Sequence, residues 1–157
     1  MSVTFGEETR REFERLVSRY PDREAVILPA LYLAQREFGY VSDEAIAYVA
    51  GLVGVPPARV EGVATFYTMY NRKPVGKYHV QICRNLSCSL MGAEHLIERV
   101  SKKLGIQPGE TTADGRFTLT KVECLGSCGT APVMQVNDDY YENLTGDSID
   151  RILDGLR

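Results

Sequence analysis

The stretch KYHVQICRNLSCSLMG, residues 77–92, decides the fold class because the hydrophobic periodicity of the chain changes there. Apolar and polar residues alternate from Tyr78 to Ile82, which is the period-two pattern of a half-buried strand. Cys83 ends this strand, and Cys88 follows with the spacing C-x4-C. The stretch therefore predicts a strand that runs directly into a loop containing two cysteines, which we call the first cysteine loop.

A second stretch, KVECLGSCGTAPV at residues 121–133, also places two cysteines after a strand-like run and forms the second cysteine loop. Cys124 and Cys128 have the spacing C-x3-C, and 35 residues separate them from the first pair. A predicted helix at 90–104 connects the first strand to the second, at 117–124. A strand, a helix and a strand form a right-handed unit with parallel strands, and ligands bind at the carboxyl ends of such strands. We therefore expect the two cysteine loops to meet at one edge of a sheet.

Helical periodicity dominates the chain before the break NRKPVG at residues 71–76. After the second cysteine loop, the pattern predicts a hairpin around Asp138 and Asp139 and a terminal helix at 148–156. We predict an α/β protein in which a small four-helix bundle, residues 1–73, precedes an α/β domain, residues 74–157. The predicted helices of the bundle lie at 7–19, at 23–38, after Ser42 and from Pro56 onwards.

Composition excludes several classes of function. The net charge of −3 provides no basic field for nucleic acid, and no stretch is long and apolar enough for a membrane-spanning helix. The N-terminal residues lack the apolar segment of a signal peptide. We therefore expect a cytoplasmic protein without direct membrane insertion, in which cysteine thiols stay reduced.

Four reduced thiols on converging loops are typical of a metal site. Thiolate is a soft ligand suited to zinc and to iron–sulfur clusters, and four thiolates complete the ligand set of a [2Fe–2S] cluster. Gly126, Ser127 and Gly129 are small enough to let backbone N–H groups approach cluster sulfurs. The residues after Cys88 predict a helix start, whose N-terminal amides favour an anion. We therefore favour a [2Fe–2S] electron carrier.

Three other uses of the same thiols stay open. A structural zinc site needs the same four ligands, and both spacings suit zinc. Disulfides are disfavoured by the expected compartment, and a redox-active dithiol is disfavoured because the chain has no C-x-x-C. No dinucleotide-binding or nucleoside-triphosphate motif is present, so the sequence predicts no complete active site on this chain.

Four segments carry a resemblance to a known family: CRNLSCSLMGAEHL, ECLGSCGTAPVMQVND, GVPPARVEGVATFYTMY and LGIQPGETTADGRFTL. They resemble the NuoE-type [2Fe–2S] subunit of NADH:quinone oxidoreductase (complex I), which has a thioredoxin-like ferredoxin domain behind a helical bundle. The resemblance implies that one [2Fe–2S] cluster is the cofactor of this chain. The cluster ligands that it implies are Cys83, Cys88, Cys124 and Cys128.

The same resemblance implies partners and a location. The cluster would exchange single electrons with the FMN of a NuoF-type subunit that binds NADH, within a larger complex peripheral to the inner membrane. Similar subunits occur in NAD-dependent formate dehydrogenases and in hydrogenases, and the motifs do not separate these complexes. A structural metal-binding module is the alternative of a different class.

An aromatic run near the end of the helical half has two interpretations. Phe66, Tyr67, Met69 and Tyr70 could dock a flavoprotein partner, although aromatic residues at a helix end more often belong to the core. His79 and His95 are interpreted as structural or solvated, because four cysteines already complete a ligand set.

Overall fold

The computed structural model describes residues 3–156 and divides the chain into two compact units, Met1–Pro74 and Val75–Arg157. This division falls one residue after the boundary expected from the sequence. The first predicted domain begins at residue 1 and the second ends at residue 157. Residues 1, 2 and 157 lie outside the described residues. That the units fold as independent domains stays a prediction.

The first unit is helical, and local chemistry sets the ends of its helices. The Ser42 hydroxyl accepts a hydrogen bond from the N–H of Ala45 and caps the third helix. Gly39 and Gly54 end the second and third helices with positive φ, a conformation that glycine adopts without strain. The elements are α1 (Glu7–Val17), a 3₁₀ turn (Arg23–Val26), α2 (Ile27–Phe38), α3 (Asp43–Val53) and α4 (Pro57–Phe66).

Pro29 explains why the second predicted helix starts later than residue 23 as an α-helix. Asp22 caps the 3₁₀ turn, and α2 begins at Ile27. Pro29 is then the third residue of α2, where a backbone N–H has no partner within the helix. The helical pattern of the fourth predicted helix turns Tyr67 inward with Val60, Val63 and Ala64. This expectation is wrong for Tyr67, which lies after the last residue of α4 and is exposed.

The second unit is a four-stranded mixed sheet with helices. The strand order is β2-β1-β3-β4; β2 is parallel to β1, whereas β3 is antiparallel to β1 and β4 is antiparallel to β3. The predicted parallel unit is therefore confirmed. The elements are β1 (Tyr78–Cys83), α5 (Leu86–Leu90), α6 (Ala93–Leu104), β2 (Phe117–Val122), β3 (Met134–Val136), β4 (Asp139–Tyr141) and α7 (Gly146–Gly155).

Two predicted elements have different bounds in the structure. The helix expected at 90–104 begins at Ala93 as α6, because Gly92 adopts φ +87° and separates it from the short helix α5, which was not predicted. The hairpin turn lies at Asn137 and Asp138, so Asp139 belongs to β4. Asn137 adopts positive φ there, and its side-chain carbonyl accepts a hydrogen bond from the N–H of His79 at 2.9 Å.

The core of the second unit is formed by the sheet together with α6 and α7. Alternation along β1 buries Val80 and Ile82 completely. Helix α6 packs on β1 and β2, and α7 packs on α6. Among residues 3–156, none of the helices has the length and apolar composition to cross a membrane. Other buried members of this core are Leu96, Ile97, Val100, Leu119, Met134, Ile149 and Leu153.

Candidate metal centre

The first cysteine pair is built into the core. Cys83 is the last residue of β1, and Cys88 lies in the middle of α5. Each is only 3% exposed, and both pack with Ala93 and Val133 in a small apolar cluster. The N–H of Cys83 donates to the carbonyl oxygen of Val133 at 3.2 Å, which ties the end of β1 to the chain before β3. Packing and sheet hydrogen bonds therefore hold the first pair in place.

The environment of Cys88 differs from the one expected. The sequence predicted a helix start directly after Cys88, but Cys88 lies inside a helix of five residues that the side chain of Asn85 caps. The expectation that N-terminal amides of a following helix favour an anion there is therefore wrong. Burial raises the pKa of the Cys88 thiol, and so does the hydrogen-bond contact with Cys83, while a backbone hydrogen bond from Val133 opposes the rise.

The second cysteine pair lies on an exposed, irregular loop. Cys124 comes two residues after the end of β2, and Cys128 begins a 3₁₀ turn, Cys128–Thr130. Both cysteines are exposed. The N–H of Gly126 donates to Sγ of Cys124, with 3.2 Å between nitrogen and sulfur. A backbone donor therefore already points at one of the four thiols.

Polar side chains from and after β4 hold this loop. The hydroxyl of Tyr140 donates to the carbonyl oxygen of Leu125 at 3.1 Å. The carboxylate of Glu142 accepts hydrogen bonds from the hydroxyls of Ser127 and Thr130, on either side of Cys128. These bonds, led by the one from Ser127, lower the pKa of Glu142. Hydrogen bonds thus position the exposed part of the second cysteine loop around Cys128, whereas Leu125 and Ala131 pack against the apolar cluster of the first pair.

The two loops meet at the carboxyl edge of β1 and β2, as the predicted topology requires. Cys83 pairs with Val122 in the parallel register, and its thiol donates to the carbonyl oxygen of Glu123 at 3.8 Å. The guanidinium of Arg84 forms an ion pair with the Glu123 carboxylate, with 2.6 Å between Nη2 and Oε1. An electrostatic interaction with Cys128 contributes to the raised pKa of Cys88. The structure therefore brings both pairs to one edge.

The donor set fits a [2Fe–2S] cluster. Each of the two irons in such a cluster takes two thiolates, so the site is made of pairs. Within residues 3–156, no group of three or more His, Cys, Asp or Glu side chains is close enough to hold a metal ion, so the four thiols are not preassembled as one ligand set. All four cysteines are free thiols, and Cys83 and Cys88 pack in the same apolar cluster. Soft thiolates with a nearby backbone N–H donor are suitable ligands for iron and sulfide.

Several residues at this edge were not identified from the sequence. Arg84 follows Cys83 directly in the sequence, and its ion pair with Glu123 was not predicted. Tyr140 and Glu142 were assigned only to a hairpin. Their role depends on chain segments 15 residues apart, from Leu125 to Tyr140 and from Ser127 to Glu142, and no local pattern records such contacts.

The aromatic run of the helical unit contains both core and surface residues. Tyr70 is 4% exposed, and its hydroxyl donates to the carbonyl oxygen of Leu28 at 2.8 Å. Phe66 is 76% exposed, and Met69 is also exposed. His79 is half-buried and lies 2.9 Å from the hydroxyl of Thr120, and burial lowers its pKa. His79 is therefore a structural residue of the sheet, as expected.

The sheet and its two cysteine pairs define an iron–sulfur protein of the ferredoxin class, and a family comparison makes this specific. The model of the thioredoxin-like [2Fe–2S] ferredoxin family matches residues 13–157. The chain belongs to this family, as its sequence motifs predicted. The cofactor of the family is a [2Fe–2S] cluster.

Its curated relatives are similar over nearly their whole length. The second E-type NADH-quinone oxidoreductase subunit of Rhizobium meliloti is 47% identical over 148 residues, which cover 94% of this chain and 88% of that protein. NADH-quinone oxidoreductase subunit 2 of Thermus thermophilus is 47% identical over 156 residues, which cover 98% of this chain and 86% of that protein.

A solved structure supports the fold. A chain of an NAD⁺-reducing [NiFe]-hydrogenase in the air-oxidised state superposes with a TM-score of 0.72. The sequence identity is 24%, and the match covers 83% of this chain and 22% of that one. At this identity the likeness concerns the fold alone.

Proposed function

We propose that this chain is the [2Fe–2S] subunit of an NADH:quinone oxidoreductase. In this role it exchanges single electrons between its cluster and the FMN of a NuoF-type partner subunit, which also binds NADH. The observation that carries the proposal is the meeting of two free cysteine pairs at one sheet edge. The curated relatives, which are oxidoreductase subunits over nearly their whole length, favour this complex over a hydrogenase or a formate dehydrogenase.

We assign the cluster to two pairs of ligands. Cys83 and Cys88 pack in one apolar cluster and would hold one iron, and Cys124 and Cys128 share a loop and would hold the other. When bound, the cluster supplies one-electron chemistry, whereas the chain supplies ligation, orientation and electrostatics. The first pair is buried and the second is exposed, so a bound cluster would be nearer to solvent at its second pair of ligands.

The remaining parts of the proposal concern the complex. NADH oxidation takes place on the partner subunit, because this sequence carries no dinucleotide-binding motif. Other subunits hold the assembly at the inner membrane, and this chain joins it from the cytoplasmic side. No nucleic acid takes part.

The first experiment identifies the metal. The chain is purified without oxygen, assayed for iron, zinc and acid-labile sulfide, and examined by absorption and by low-temperature EPR after dithionite. We expect about two irons and about two sulfides for each chain, with an EPR signal on reduction. Zinc without sulfide would show a structural metal-binding module and would refute the electron-carrier proposal.

The second experiment identifies the complex. The chain is co-purified from its host with any flavin-containing partner, and the cluster is followed by EPR after separate additions of NADH, formate and hydrogen. Reduction by NADH in a preparation that also reduces quinone supports the proposal. Reduction by formate or hydrogen through co-purified subunits would assign the chain to one of the related complexes instead.

A further inference from the structure

One peptide group of the second cysteine loop is held at both of its polar ends. The carbonyl oxygen of Leu125 accepts a hydrogen bond from the hydroxyl of Tyr140 at 3.1 Å. The N–H of Gly126, on the same peptide group, donates to Sγ of Cys124 at 3.2 Å. A trans peptide is planar, and its carbonyl and N–H point in opposite directions. Fixing the carbonyl with Tyr140 therefore fixes the direction of the N–H toward the sulfur.

The conformation of Gly126 serves the same arrangement. Its φ is +75°, in the left-handed region that side chains other than Asn and Asp rarely enter. A Cβ built on Gly126 would meet no atom within 4 Å, so the backbone angle and not a lack of space requires glycine. A residue that leaves this region must rotate the peptide group or displace the chain before Cys128.

The direction in which an N–H donor to a ligand sulfur shifts the reduction potential follows from charge. Reduction adds one negative charge to a cluster, and a hydrogen bond to a ligand sulfur stabilises the more negative state. Losing the donor therefore lowers the reduction potential. The effect acts through Cys124, so a residue that aims the donor is a positioning residue rather than a ligand.

We propose that Tyr140 and Gly126 are positioning residues that direct this N–H at Cys124 and thereby raise the reduction potential of the cluster. The inference rests on the proposed function, because it requires a bound [2Fe–2S] cluster. It adds a residue on β4, outside both cysteine loops, that influences the reduction potential of the cluster. Tyr140 is half exposed, so its hydroxyl can be removed without opening the core.

The test compares matched variants of the full-length, cluster-loaded chain by redox titration monitored by EPR. Tyr140→Phe removes the hydroxyl that holds the Leu125 carbonyl, and Tyr141→Phe removes the neighbouring hydroxyl on β4 as a control. Gly126→Val disfavours the left-handed conformation, whereas Gly126→Asn keeps it accessible. Gly129→Ala is the glycine control, because Gly129 also has space for a Cβ but lacks a positive φ.

We expect Gly126→Val to lower the reduction equilibrium constant about tenfold, which is 59 mV for a one-electron couple. Tyr140→Phe lowers the same equilibrium constant by about threefold, because a water molecule replaces part of the lost hydrogen bond to the Leu125 carbonyl. Gly126→Asn, Gly129→Ala and Tyr141→Phe keep the wild-type potential. Iron and sulfide contents measured on each sample show that the variants being compared hold the same cluster.

Other results decide against the inference or against the function, and the two are distinguishable. If Tyr140→Phe keeps the wild-type potential with a full cluster, the positioning role is refuted, whether or not Gly126→Val assembles a cluster. If Gly126→Asn lowers the reduction potential as far as Gly126→Val does, the left-handed conformation is not the cause and the inference fails. If the wild-type chain binds no iron and sulfide, the proposed function itself fails.

Discussion

The two cysteine loops present the same kind of ligand in opposite physical settings. In the first, Cys83 and Cys88 are buried among apolar side chains. The second carries exposed cysteines on an irregular stretch, which hydrogen bonds with Tyr140 and Glu142 hold. Apolar packing opposes any change of volume, whereas a few polar bonds to the surface can be altered without loss of the fold. We therefore expect the first loop to control stability and the second to adjust the electronic properties of the site.

The largest effect is expected from removing a thiol on either loop. Cys88→Ala, Cys124→Ala and Cys128→Ala should each lose nearly all bound iron and the EPR signal of the reduced cluster, because a [2Fe–2S] site needs four thiolates. In the metal-free state, Cys88→Ala should cost about 1 kcal/mol of unfolding free energy, because it empties buried volume. Cys128→Ala should change that free energy by less than about 0.5 kcal/mol, because its side chain is exposed.

Urea unfolding of the metal-free variants checks this difference between the loops. Equal costs for Cys88→Ala and Cys128→Ala would show that the first loop is not supported by packing. An unchanged EPR signal in Cys124→Ala would contradict its assignment as a ligand.

A second prediction concerns the packing behind the first pair. Val133 is 1% exposed and packs in the apolar cluster of Cys83 and Cys88. Val133→Ala should lower the free energy of unfolding by about 2 kcal/mol. Val122→Ala is the control. Val122 packs on the same cluster but is only half-buried, so this change should lower the free energy of unfolding by less. Unfolding midpoints in urea measure both. A Val133→Ala variant as stable as wild type would show that the loop does not depend on this packing.

A third prediction concerns the pH dependence of the second loop. Hydrogen bonds lower the pKa of Glu142 in the folded chain, so its stabilising effect is present above the ordinary glutamate range and is lost as pH falls through the lowered pKa. Glu142→Gln should therefore flatten the acid side of the stability curve and keep a full cluster at neutral pH.

The measurement is the urea midpoint of the metal-free chain at a series of pH values on the acid side. Glu98→Gln, on the exposed side of α6, is the control for loss of a surface carboxylate. An acid limb that is the same in Glu142→Gln and wild type would show that Glu142 does not hold the loop through its ionised form.

The smallest effect is expected from removing the helical unit. A chain beginning at Val75 keeps both cysteine loops and the contacts described for them, so iron, sulfide and the reduced EPR signal should stay as in the full chain. This is also the test that the two units are independent domains. A fragment that fails to fold or to hold a cluster would show that the α/β unit depends on the helical one.

Much of the fold follows from local patterns in the sequence. Alternation from Tyr78 to Ile82 predicted β1, and the strand–helix–strand order predicted the parallel pair that brings Cys83 close to Glu123. Helix α5 was missed because five residues are too few to show a helical period. Tyr67 was misplaced because a periodic pattern does not show that α4 ends at Phe66.

The candidate site divides in the same way. The four thiols and their order along two loops are properties of the sequence, and they are enough to indicate thiolate ligation of a metal or cluster. The burial of Cys88 and the exposure of Cys128 were decided only by the tertiary structure, as were the hydrogen bonds with Tyr140 and Glu142. The physical reason is that ligand chemistry belongs to single residues, whereas burial and hydrogen bonding depend on segments that meet only after folding.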